Sequence, residues 1–245
     1  IFTFKPQVLF YGESNVGQVN SVISNSLLLE GEILEPSKMD YDRKAMNQTE
    51  IYVLDYDLKK SEILFLSKGT PFNNKELATN SVFNEYYGGG MSSVVFQEIR
   101  EKKALAYQAF AVHTTAKDTT KPQYTYAYLG CQTDKTVEAI ESMLEVLKNM
   151  PKDTVKFSQS ISAIKQQLAS SRTTRASKLS SFWANQKLGF IESKNEQIYT
   201  DLEDLTLDDI VRFHMENIAN NQYSIVIVAD LTEPGLLSDL ERFGK

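Results

Sequence analysis

The sequence predicts an α+β domain of two layers, a roughly six-stranded, mainly antiparallel or mixed sheet covered by helices. Three observations lead there. Apolar residues alternate at period two in several short runs, recur at helical spacing in longer ones, and the two kinds of run follow each other in mixed order. With 245 residues and 42% hydrophobic content the chain can bury a substantial core, and no Pro-, Gly- or Ser-rich linker divides it. We therefore read residues 1–245 as a single domain. The start at Ile1 and the stop at Gly244-Lys245 read as cuts from a longer chain.

Taken in order, Gln7 to Tyr11 alternates as a short strand ending at Gly12, and Ser14 is placed to cap a helix whose Val16, Val19, Ile23 and Leu27 form one stripe. Gly31 to Gln48 is polar, contains Pro36, and reads as a long connection. Ile51–Tyr56 and Ile63–Leu66 alternate on either side of Asp57–Lys60, which predicts an antiparallel hairpin. Ala78, Val82 and Tyr86 then recur at helical spacing up to Gly88-Gly89-Gly90. Ser92 or Ser93 caps a second helix carrying Val95 and Ile99, with Lys102 and Lys103 at its C-terminal end. The glycines tolerate positive φ and carry no side chain, so two helices can meet there at a tight angle. No strand precedes them and no G-x-x-x-x-G-K-[ST] spacing is present, which argues against a phosphate-cradling loop.

Tyr107 opens an alternating run in which Tyr107, Ala109, Ala111 and His113 share one face, and that run pairs with Gln123–Cys131 across a Lys- and Thr-rich loop. Tyr124, Tyr126 and Tyr128 form a ladder that reads first as cover for a sheet face and second as the wall of a chamber. Val137, Ile140, Leu144 and Leu147 stripe a helix over Asp134–Met150 that stops at Pro151, and Asp153 caps the next, with Phe157, Ile161, Ile164 and Leu168. Ser170–Ser181 is polar, its Arg172 and Arg175 reading as solvated, before Leu179, Phe182 and Trp183 resume a stripe. Thr206 and Asp209 resemble a capping box and Leu205 and Ile210 a hydrophobic staple, so a helix runs from Leu207 to Ile218. Tyr223–Val228 is nearly continuous in apolar residues, which predicts a strand inside the sheet, and Pro234–Phe243 closes as a helix.

A net charge of −6 argues against a general nucleic-acid binder, and no apolar run approaches the roughly 20 residues that span a bilayer. Cys131 stands alone, so it forms no internal disulfide and indicates no compartment; cytoplasm and periplasm are equally compatible. The only histidines, His113 and His214, lie in different elements and neither belongs to a metal-binding pair, so no metal site is predicted in this chain. No G-x-S-x-G elbow is present either. On spacing alone Arg100 is a solvated residue in the last turn of the second helix and Tyr107 a strand aromatic, although both leave element ends, where sites often sit.

The run N-E-Y-Y-G-G-G-M-S-S-V-V-F-Q-E-I-R-E-K-K-A-L-A-Y, Asn84 to Tyr107, resembles the segment that marks the C-terminal, non-zinc halves of the pitrilysin/insulinase family of zinc metallopeptidases, which includes mitochondrial processing peptidase. The likeness extends more loosely to V-L-F-Y-G, I-Y-V-L-D-Y-D, S-E-I-L-F-L and Y-S-I-V-I-V-A-D. Ala104 stands where relatives usually have glycine. The resemblance implies an inactive half-domain, without zinc of its own, that pairs with a homologous zinc-bearing domain in the same or another chain. There a glutamate and the metal activate water, while Arg100 and Tyr107 match the Arg and Tyr that the family's non-zinc half supplies to an unfolded peptide substrate. Two other readings are open: a structural subunit with no hydrolysis, and a peptide-binding module.

Overall fold

In the computed structural model, residues 7–26, 34, 46–172, 174–190 and 193–244 are described. They fall into two compact units, one of residues up to Lys44 with Arg172–Ala184, the other of Ala45–Ser171 with Asn185–Lys245. The first holds helix α1 (Val16–Ser26) and most of α5 (Arg175–Lys187). Gln7–Tyr11 is not a strand there, and the α1 cap is Asn15, whose Oδ1 accepts from Gln18 N at 2.9 Å, rather than Ser14. Leu27 and most of the predicted connection at 31–48 lie outside the described residues.

The second unit is a five-stranded mixed sheet with helices on one face. Strands β1 (Glu50–Asp55), β2 (Lys60–Pro71), β3 (Gln108–His113), β4 (Pro122–Gln132) and β5 (Ser224–Ala229) lie in the order β1-β5-β2-β4-β3. The α+β reading therefore holds, with one strand fewer among the described residues than expected. The predicted β1–β2 hairpin does not form. β5 lies between them, parallel to β1 through Ile51↔Ile225 and antiparallel to β2 through Ile63↔Ile227. The near-continuous apolar run of β5 suits an interior position, where β1 and β2 occupy both of its hydrogen-bonding edges. The β3–β4 pair forms as predicted, with Phe110 opposite Tyr128.

Inward residues of the strands, among them Ile63, Phe65, Ala127, Leu129, Ile225 and Ile227, are wholly or nearly wholly buried beneath the helices. These are α2 (Leu77–Phe83), prolonged through π-helical turns to Gly89, a π-helical segment Phe96–Lys102, α3 (Thr136–Lys148), α4 (Thr154–Ser170), α6 (Lys194–Asp201), α7 (Leu207–Asn217) and α8 (Leu236–Leu240). Asp153 caps α4, accepting from Val155 N at 2.9 Å and Lys156 N at 3.0 Å. Thr206 and Asp209 form both halves of the capping box of α7, and Leu205 packs against the core that contains Ile210.

Candidate functional site

The glycine junction places the site residues. Tyr86 and Tyr87 just before it are fully buried, and their hydroxyls donate to Pro151 O at 2.7 Å and Val146 O at 2.8 Å, tying the junction to the α3–α4 connection and to the last turn of α3. None of the three glycines has positive φ, so the expected conformational role is not the one in use. What matters is the missing side chain: a Cβ on Gly88 would lie 1.8 Å from Ala111 O, so the helix end rests directly on the backbone of edge strand β3. The close approach is helix on strand, not helix on helix. Beside it, the Asn84 side chain clasps His113, accepting from its N–H at 2.9 Å and donating to its carbonyl at 3.0 Å. This amide occupies backbone groups that an added strand would otherwise use.

Past the glycines, Gln97 Nε2 donates to Met91 O at 2.7 Å, and Ser93 Oγ accepts from Phe96 N at 3.4 Å, identifying Ser93 as the cap. The helix ends at Ala104, which has φ of 50° and is the only non-glycine residue with positive φ among the described residues. There Leu105 N donates to Ile99 O at 3.0 Å, a closure spanning six residues that matches the wide π-helical turns before it. Leu105 and Ala106 are buried, and Tyr107 N donates to Gly130 O at 2.8 Å, so the chain enters the sheet one residue after the anchor.

Arg100 and Tyr107 bracket this closure, and both side chains are open, 46% exposed for Arg100 and 57% for Tyr107. Tyr107 has the parity of Ala109, Ala111 and His113, which are buried, but stands at the strand's beginning, beyond the reach of the helices that cover them. The Arg100 guanidinium rests 4.7 Å from the centroid of the Phe96 ring, with Nε 3.7 Å from Glu101 Oε1. Neither contact fixes it, because an exposed pair contributes little. Among the described residues, Arg100 and Tyr107 share no hydrogen bond or ring contact. The structure brings them to one end of the sheet without joining them.

The face of the sheet away from the helices is the feature the sequence only half revealed. Tyr124, Tyr126 and Tyr128 lie there, with Phe110 stacked on Tyr128 at 5.3 Å and edge-on to Tyr126 at 6.1 Å. The Tyr128 hydroxyl is hydrogen-bonded to Glu62. Across β2, β5 and β1 the same face carries Leu64, Val226, Tyr52 and Leu54, the last two 53% and 58% exposed. Leu64 and Val226 are also exposed, and among the described residues of the second unit the helices lie on the opposite face. An open aromatic and aliphatic surface of this extent marks a contact face.

His113 and His214 are both 1% exposed. His113 Nδ1 lies 2.8 Å from Thr125 Oγ1, and His214 Nε2 lies 3.0 Å from Leu147 O. Burial pushes each imidazole down from 6.5 to about 4, so both are neutral core residues. The sequence reading made His214 only partly buried, and the structure closes it fully. No group of three or more His, Cys, Asp or Glu that could hold a metal exists among the described residues, and these two rings do not fit a zinc centre. Cys131 is buried and its thiol pushed up to about 11, which makes it a poor nucleophile.

A mixed sheet open on one face, a helix end resting through Gly88 on the edge strand, and an exposed Arg and Tyr at the sheet's end define the domain. Its residues 7–168 match the family described as Peptidase M16 inactive domain, and the chain belongs to that family. Among solved structures it is similar to a conserved protein from Enterococcus faecalis V583, 17% identical with a TM-score of 0.71, over 90% of this chain and 51% of that one. A peptidase M16 inactive domain from Pseudomonas fluorescens is also 17% identical, with a TM-score of 0.67, over 86% and 50%. Of curated proteins, an uncharacterized zinc protease of Rickettsia felis is 38% identical over 66 residues, 26% of this chain and 16% of that protein. Another, YmxG of Bacillus subtilis, is 28% identical over 88 residues, 36% and 21%. The matched stretches thus span about a fifth or less of these curated relatives, and the chain covers about half of the two solved ones. No helix among the described residues is long and apolar enough to cross a membrane.

Proposed function

We propose that this domain is the non-catalytic half of a zinc metallopeptidase, closing the peptide chamber of a homologous zinc-bearing domain. The observation that carries the reading is the open face of the sheet. A surface lined by Phe110, Tyr126, Tyr128, Leu64 and Tyr52 suits an unfolded peptide, whose apolar side chains find area there while its backbone stays extended. At the end of that sheet, on the parity opposite to Phe110 and beside the helical segment that carries Arg100, Tyr107 donates its hydroxyl hydrogen to the scissile carbonyl oxygen of a peptide that leaves the open face there, and Arg100 swings off Phe96 to hold a substrate carbonyl or carboxylate. Zinc held by the partner domain would supply the activated water; the described residues of this chain offer no ligand set for it.

The exposure of Arg100 and Tyr107 supports their part, since buried residues could not reach a substrate. The family match is the second support, and it favours peptidase work over a purely structural subunit, which has no need of this pair. The test is metal analysis of the isolated chain after gel filtration, together with a peptide-cleavage assay. The reading expects no stoichiometric zinc and no cleavage, with both restored in the assembled two-domain protein. About one zinc per isolated chain, which takes three or four ligands of its own, contradicts it.

A further inference from the structure

Residues 7–26 are poorly explained by the chain that surrounds them. Val8 and Phe10 are 48% and 50% exposed, α1 buries no residue, and the Phe10 ring folds back over its own Gly12. Yet the segment is patterned for a core. Aligned without a gap, at one constant offset, Val8, Phe10 and Gly12 fall on Ile225, Ile227 and Ala229, Glu13 on Asp230, and Val19 and Ile23 on Leu236 and Leu240. Every one of the five apolar or small positions so matched in β5 and α8 is buried to 5% exposure or less. Four of their counterparts, Val8, Phe10, Val19 and Ile23, instead line an open apolar groove of ≈ 360 Å³ formed by the segment's own strand-like and helical parts. Tyr11, on the opposite parity, is held by Lys178 Nζ at 2.7 Å, which leaves the Val8 and Phe10 side free.

We propose that residues 7–26 are the closing strand and helix of a second domain of this same fold. In that domain Val8–Gly12 lies between a parallel and an antiparallel strand, as β5 lies between β1 and β2, and Val19 and Ile23 pack under it as Leu236 and Leu240 do here. A second copy of this chain is a poor host, because its own β5 fills that place. A homologous domain that lacks its last strand is the fitting one, and a chain covering about half of its solved relatives leaves room for it. The family match begins at residue 7, so segment and domain occur together in the family. The inference rests on the two-domain arrangement proposed above, but its test reads folding and not cleavage or metal, so the two can fail separately.

The experiment is hydrogen exchange on the 245-residue chain and on the same chain carried with its native N-terminal continuation or with its purified zinc-bearing partner domain. In the short chain the amides of Val8–Gly12 exchange freely while those of Ile225–Ala229 are protected; with the partner present, protection at Val8–Gly12 rises by roughly 100-fold or more. Phe10→Asp and Ile23→Asp leave the melting temperature of the short chain unchanged, whereas Ile227→Asp, the matched control, abolishes cooperative melting. Protection of Val8–Gly12 in the short chain overturns the proposal, and does so in favour of a swapped dimer if it grows with protein concentration. Free exchange of those amides in both samples also overturns it.

Discussion

Acidification from pH 8 to pH 5 is expected to cost this domain about 4 kcal/mol, and two residues account for it. His113 and His214 hold folded-state values of about 4, against 6.5 for an exposed imidazole, with burial as the main cause in each. A lowered value means that the folded state binds fewer protons than the unfolded one, so stability falls as pH drops below 6.5 and levels off below about 4. At pH 5 an unfolded imidazole is nearly fully charged and a folded one nearly neutral, which amounts to about 2 kcal/mol per residue, rising to about 3 kcal/mol each well below pH 4. The carboxylates of Asp118, Asp209 and Asp230 are lowered too, by hydrogen bonds to their charged forms, and like the histidines they stabilise the fold less as pH falls. Their contribution is lost only below their usual 3.8, which isolates the histidines between pH 5 and 6.5. The assay is urea unfolding at pH 8, 6.5 and 5 for the native chain and for His113→Gln and His214→Gln. Each variant is less stable at pH 8 but loses about 2 kcal/mol less on acidification. A native chain equally stable at pH 8 and pH 5 refutes the claim that both rings are neutral core residues.

Ala104→Gly removes a Cβ from a residue at φ 50°, where an L side chain costs about 1–2 kcal/mol, against about 0.5–1 kcal/mol of added freedom in the unfolded chain. The net expectation is a melting temperature raised by about 2–3 °C, read by calorimetry; no change, or a decrease, means that the helix end is not strained. Gly88→Ala forces a methyl into the Ala111 carbonyl, which costs about 3 kcal/mol or more because both partners are backbone, and equilibrium unfolding reads it. Gly90→Ala, whose Cβ would meet nothing nearer than Glu85 Oε1 at 3.4 Å, is the mild control. Equal effects at the two positions would show that the junction needs flexibility rather than close approach.

How far the fold could be read from sequence follows from the range of the forces involved. The capping box at Thr206, the cap at Asp153 and the β3–β4 pair were legible because each is decided within a few residues. The neighbour of β1 was not. A hairpin and an interleaved β5 satisfy the same alternation in Ile51–Tyr56, and only the apolar outer side of Val226 and Val228, more than 160 residues on, selects between them. The segment Gln7–Tyr11 misled in the reverse way, since its strand pattern is present but no strand among the described residues pairs with it. Arg100 and Tyr107 were picked out by resemblance and their exposure is now visible, whereas Phe110, Leu64 and Leu54 were missed. The available signal was that β2 and β5 are apolar on both parities, which a covered sheet requires only for its inner face. The Gly88 requirement was half legible: sequence shows that a side chain is absent, but not which backbone comes to occupy the space.

The most direct test of the account is steady-state hydrolysis of a fluorogenic peptide by the assembled two-domain enzyme carrying Tyr107→Phe or Arg100→Ala. Losing the Tyr107 donor to a developing oxyanion is expected to lower kcat by roughly 10² to 10³ with little change in KM, while the ring and the melting temperature stay as they are. Arg100→Ala is expected to raise KM as well as lower kcat, because its contact forms with bound substrate and persists in the transition state. Native kinetics in both variants, with native melting, would contradict the account and leave the pair a solvated helix residue and a strand aromatic.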